Sequence, residues 1–142
     1  MEKVLASSTA RKRPLSPHLS IWKWGPHMLV SILHRVSGDG LAIVGGIALV
    51  WWLVAAASGA GAYADFLAWV AWKPFGIPLA LIIGIGLTWA FFEHMFSGIR
   101  HLFLDTGAGY ELTTNKTWSI VVVAAAILAT FALWMFIAGR AL

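Results

Sequence analysis

Three stretches of this sequence run almost without charge, over about residues 29–57, 75–104 and 118–138. Each is at least as long as the ~20 residues that carry a helix across the hydrocarbon core of a bilayer. None shows the apolar/polar alternation of a membrane-barrel strand, so the runs predict helices. Composition supports lipid as the solvent. Hydrophobic residues make up 60% of the chain and charged ones 11%, against roughly 25% charged in soluble domains. The nine Trp fit as well, because the indole ring collects at membrane–water interfaces. The expected fold is an all-α membrane protein with three transmembrane helices.

The rest of the chain divides around these runs. Residues 1–28 are polar and carry Pro14, Pro17 and Pro26, which predicts an irregular arm with one interfacial turn around Ile21 to Trp24. Residues 29–142 form the transmembrane domain. The stretch from Ser58 to Pro74 is rich in Gly and Ala and reads as a loop. A second loop, Asp105 to Thr117, holds Gly107, Gly109 and the cap-like Thr113, Thr114 and Asn115. No internal repeat is visible, which argues against an inverted-repeat transporter. The absence of cysteine excludes disulfides, thiolate zinc sites and Cys-ligated clusters within this chain. Residues 1–28 lack the apolar core of a cleavable signal. Arg11, Lys12 and Arg13 leave a mitochondrial transit segment open, but Glu2 and the short length favour a bacterial inner-membrane protein.

Eight of the ten Lys and Arg residues lie on one side: Lys3, Arg11, Lys12, Arg13, Lys23, Arg35, Arg100 and Lys116. Only Lys73 and Arg140 lie on the other. The excess of positive charge on cytoplasmic segments then predicts a cytoplasmic N-terminus and an exported C-terminus. The start of the first span and the end of the second share the cytoplasmic side.

Ionisable groups inside a span are costly and mark function, and here they gather in those two places. On the second span Gly86, Ala90, His94 and Gly98 recur every four residues and so share a face. Small residues above and below a His leave a trough in which a planar macrocycle can reach an axial ligand. The same pattern also serves close helix packing. His101 lies seven residues on, roughly 10 Å along the helix, too far to ligate the same iron. It suits a propionate partner, a proton route, or a side chain reaching up to interfacial water. On the first span Ser31 and Arg35 share a face, with His34 about 100° away around the helix. Arg offers a fork of donors. Ser31 and Arg35 suit the carbonyls of a quinone, while an Arg at this depth also anchors a helix end at the headgroups. The third span has no ionisable group and reads as packing and anchoring.

Three local patterns go further. Ser31-Ile32-Leu33-His34-Arg35-Val36-Ser37-Gly38 resembles the S-x-x-H-R-x-[ST]-G signature of the cytochrome b subunits that anchor succinate dehydrogenase. His94-x-x-x-Gly98-Ile99-Arg100-His101-Leu102-x-x-Asp105 resembles that family's second-helix signature, H-x-x-x-G-[IL]-R-H-x-x-x-D. Arg13-Pro14-Leu15-Ser16-Pro17-His18-Leu19 resembles the arm that precedes its first helix. The three blocks stand in the family's order, and three spans is the family's count.

The resemblance implies half of a heterodimeric, haem-binding helical bundle. A second membrane subunit is expected to share one haem b, with His94 as this chain's axial ligand to the iron and the other axial His from the partner. His34 and His101 fall on the propionate side, and Ser31 and Arg35 match the quinone-site residues. An iron–sulfur subunit and a flavoprotein subunit complete the complex, passing electrons from succinate to quinone. The anchor of a fumarate reductase and a haem-free structural anchor are the alternatives. Asp39 and Glu93 depart from the pattern, placing carboxylates where apolar or aromatic side chains are expected.

Overall fold

The computed structural model describes His18 and residues 23–141. The arm motif from Arg13 to Leu19, His18 apart, and half of the turn expected at Ile21 to Trp24 lie outside the described residues.

Helix α1 (Pro26–Gly40) continues through a π-helical turn, Leu41–Gly45, into α2 (Gly46–Ala57). Together they make one span, Pro26–Ala57. It starts three residues earlier than the hydropathy pattern suggests, because Pro26 is the first helical residue. There proline's missing N–H costs nothing and its fixed φ suits the helix. The π turn inserts an extra residue into the helical repeat, so the face buried by α1 does not run on into α2. The residues buried in α1 are Val30 and Ser37, and in α2 only Ala55.

The stretch expected to be a loop carries a helix, α3 (Ala60–Ala71). Five alanines over this segment are strong helix formers, and Gly59, at φ 99°, makes the sharp turn from α2 that lets it start. Residue counting alone reads a Gly/Ala mixture as linker, which is why this helix was not expected.

The second span is α4 (Leu79–Asp105). Its expected start at Phe75 is wrong. Pro74–Gly76 forms a single 3-10 turn with Phe75 in the left-handed region, at φ 54°. Pro78 then precedes the first helical residue. The third span, α5 (Leu112–Ala141), begins six residues before the expected Trp118. Thr113, Thr114 and Asn115 lie inside its first turns rather than capping it; the Asn115 N–H already bonds to the Glu111 carbonyl at 2.8 Å.

α1, α4 and α5 pack against one another. All three long helices are apolar and long enough to cross a membrane, and no strand is present among the described residues. Their shared interior is built from small and polar residues. On α4 it is Ala90, Glu93, Ser97 and Arg100; on α5 it is Ser119, Val122, Ala126 and Thr130. The spacings of three and four keep each set on one face, and small side chains let the backbones approach. The large apolar side chains, such as Ile47, Trp51, Leu128 and Phe131, point outward, the reverse of a water-soluble bundle. Two of the buried hydroxyls inside the spans are satisfied within their own helix. Ser119 donates to the Asn115 carbonyl at 2.7 Å and Thr130 to the Ala126 carbonyl at 2.8 Å.

Candidate functional site

Where α1 crosses α4, three imidazoles come together. The His34 and His94 rings stack at 4.2 Å with 18° between planes, and His34 lies 5.0 Å from His101. His34 thus bridges the two histidines of α4, which the sequence places about two turns apart. Among the described residues no three His, Cys, Asp or Glu side chains converge as a metal chelate. This is a row of rings, not a chelating cluster.

The orientation of His94 is fixed by its Nδ1, 3.0 Å from the backbone carbonyl oxygen of His34. A carbonyl only accepts, so Nδ1 carries a proton, and in the neutral ring the lone pair is on Nε2. Nε2 has no hydrogen-bond partner among the described residues. A ring nitrogen held open by a backbone bond on the opposite nitrogen is the state in which imidazole binds a metal.

Gly38 makes this seat possible. A Cβ at Gly38 would fall 2.8 Å from His94 Cε1 and 3.2 Å from Nδ1, so only glycine lets the ring lie against the α1 backbone. Gly98 borders the same row, with its absent Cβ 3.8 Å from His34 Nε2. The expected stripe on α4 is only partly realised: Ala90 is buried in the helix packing, while Gly86 faces outward with nothing within 4 Å of a Cβ there.

Below the ring sits a pair that sequence reading left without a role. Glu93 is fully buried, at 0% exposure. The Ser37 hydroxyl lies 2.8 Å from Glu93 Oε2 and 3.0 Å from the His34 carbonyl, and can donate to either. The same oxygen is 3.4 Å from His94 Nδ1. Ser37, Glu93, the His34 carbonyl and His94 therefore form one polar knot joining α1 to α4. Glu93 Oε1 has no partner. The carboxylate inside a span was the available signal; the serine it meets, 56 residues away, was not readable.

Ser31 is half-buried on α1, and Arg35, one turn on, is exposed, as is Asp39 beyond it. Neither Ser31 nor Arg35 takes part in a hydrogen bond or ion pair among the described residues, so both remain available to a ligand or a neighbouring chain. Arg100 turns into the α4–α5 contact, where its Nη2 donates to Asn115 Oδ1.

These features define a membrane-embedded helical subunit with one imidazole nitrogen presented between two spans and, on α1, an Arg and a Ser without a partner among the described residues. Residues 9–133 match the family described as succinate dehydrogenase/fumarate reductase transmembrane subunit. The chain is 37% identical over 136 residues to the succinate dehydrogenase cytochrome b556 subunit of Paracoccus denitrificans, covering 93% of this chain and 98% of that one. It is 36% identical to the cytochrome b556 subunit of Rickettsia felis, over 87% and 92% of the two chains. Against the mitochondrial succinate dehydrogenase cytochrome b560 subunit of Mus musculus it is 33% identical, over 92% and 75%. The chain belongs to the family of succinate dehydrogenase/fumarate reductase transmembrane subunits. It is thus a membrane subunit of an oxidoreductase complex.

Proposed function

We propose that this chain holds haem b together with a second membrane subunit and forms part of the quinone site of a succinate:quinone oxidoreductase. The observation that carries the reading is the His94 ring, bonded through Nδ1 to the His34 carbonyl so that Nε2 is free. The donor set fits a haem: one imidazole bonded through Nδ1, seated over a glycine, with no competing chelate among the described residues. Haem b, when bound, supplies a one-electron centre between the iron–sulfur clusters and quinone.

The chain's own residues then divide the work. His94 would hold the iron through Nε2, and the Ser37–Glu93 pair joins α1 to α4 beside its ring. His34 and His101 extend the row of rings and serve as hydrogen-bond donors to the propionates. Arg35 donates to a quinone carbonyl and stabilises the negative charge that accumulates as the quinone is reduced, with Ser31 as second donor. A charge-assisted bond of this kind is worth about 1.5–3 kcal/mol. The succinate direction is favoured over fumarate reduction because the three relatives compared are all succinate dehydrogenase subunits. The eight-to-two distribution of Lys and Arg supports a cytoplasmic N-terminus, and bacterial relatives favour the bacterial inner membrane. That orientation puts Ser31 and Arg35 on the side where an iron–sulfur subunit and its flavoprotein partner dock.

The test is the visible spectrum of the purified complex carrying His94→Tyr or His94→Leu. The low-spin b-type bands are expected to shift or vanish. An unchanged reduced-minus-oxidised spectrum and potential would show that another residue ligates the iron. Haem content alone does not decide it, because the partner's ligand can retain haem in a high-spin state.

A further inference from the structure

Arg100 is 7% exposed, deep for a side chain that is always charged. Among the described residues no carboxylate pairs with it. Its Nη2 donates to Asn115 Oδ1, and its buried Nε has no partner. An uncompensated buried cation is strongly unfavourable, and inside a span it calls for a counter-charge.

Arg100 borders two cavities between α4 and α5. One, of about 220 Å³, opens towards the α4–α5 loop and is lined by Phe103, Gly109, Thr114 and Trp118 along with Arg100. The other, of about 100 Å³, continues along the helices past Phe103 and Trp118 to Val122 and Ala125. Arg100 lines both. A single cation thus sits beside an apolar slot that runs from the loop end of the helices towards mid-span. We propose that this cleft binds one anionic phospholipid, its phosphate on Arg100 and one acyl chain in the slot towards Ala125. A phosphate matches the guanidinium fork, and the aromatic and aliphatic walls match an acyl chain. A small anion alone would leave the slot without a partner. The inference does not depend on the haem assignment, since Arg100 points away from the imidazole row.

The experiment uses the whole complex, purified in detergent and washed free of bound lipid. It is titrated separately with phosphatidylglycerol, phosphatidylcholine and inorganic phosphate, reading bound phosphorus and the thermal midpoint. Phosphatidylglycerol is expected to bind once per complex at this site and raise the midpoint, with phosphatidylcholine at least about tenfold weaker and phosphate without effect at equal concentration. Arg100→Gln should remove this binding while the haem bands report an intact fold, and Arg100→Lys should restore part of it. Ala125→Leu fills the slot without touching the cation and should weaken binding even if Arg100→Gln proves unstable. Equal binding of phosphatidylcholine, equal protection by phosphate, or unchanged phosphatidylglycerol binding in Ala125→Leu overturns the proposal. So does release of the second membrane subunit by Arg100→Gln, which would make a partner carboxylate the counter-charge.

Discussion

Replacing Gly38 with alanine adds a single methyl group, and the structure says where it lands: 2.8 Å from His94 Cε1 and 3.2 Å from Nδ1. Carbon atoms in contact settle at about 3.5–4.0 Å, so the ring or the helix must yield by close to an ångström. The methyl group meets a ring pinned to the neighbouring backbone, not the end of a flexible side chain. If the ring swings away, the 3.0 Å bond from Nδ1 to the His34 carbonyl is lost, at about 0.5–1.5 kcal/mol. If α1 and α4 separate instead, overpacking of a filled contact costs about 1–3 kcal/mol and the Ser37–Glu93 bond stretches with it.

Either way the imidazole loses its fixed direction. In the purified complex, Gly38→Ala is expected to lower the thermal midpoint and reduce or shift the low-spin haem bands together. Gly139→Ala is the matched control: a Cβ there meets nothing within 4 Å, and it should leave both readings at wild type. Gly98→Ala separates two effects, because its Cβ meets His34 Nε2 at 3.8 Å, an ordinary contact. It should leave the protein fold unstrained and disturb haem only if the macrocycle lies over that residue. A Gly38→Ala complex with wild-type midpoint, spectrum and potential would refute the claim that close approach at Gly38 positions the ligand.

Three further outcomes are expected. Ser37→Ala leaves Glu93 Oε2 without its donor, with Oε1 already unpaired; it should destabilise the complex by about 1–3 kcal/mol, and an unmoved unfolding midpoint would show that the pair carries no load. Arg35→Ala should slow quinone reduction roughly ten- to a hundredfold, the equivalent of one charge-assisted hydrogen bond, and succinate oxidation by an artificial acceptor far less. Equal loss of both activities would identify an assembly defect. A reporter active only outside the cytoplasm, fused after Leu142, should be active, and a silent one would invert the topology and put Arg35 on the wrong side to meet a cytoplasmic iron–sulfur subunit.

The three spans were legible because burial in lipid demands long uncharged runs, and no other local pattern imitates them. Their ends were less so. Hydropathy blurs across Pro26, Pro78 and Leu112, where proline chemistry and glycine turns set the boundary. α3 was missed because Ala60–Ala71 is too short to span and its mixture of Gly and Ala reads equally well as linker. The site was half legible. His34, His94 and His101 announce themselves as ionisable groups in apolar sequence, and the structure brings all three into one row. Their contacts depend on which faces of α1 and α4 meet, and spacing within each helix does not reveal that. The role of Gly38 lies in the same gap. A glycine one turn after His34 is unremarkable until His94 is seen against its Cα.

What remains unsatisfied inside the chain is as telling as what is bonded. The Ser119 and Thr130 hydroxyls close on their own helices, the default solution where no water is present. Glu93 Oε1, Ser97 Oγ, Arg100 Nε and Trp134 Nε1 do not, although all four lie in α4 and α5. Each missing bond costs about 1–3 kcal/mol when buried, and a three-helix interior lined by serine and alanine has little apolar gain to set against four of them. Besides these, an imidazole nitrogen is left open and Arg35 has no partner among the described residues. The open His94 nitrogen and the exposed Arg35 are the groups that a second subunit or a macrocycle would meet on α1 and α4.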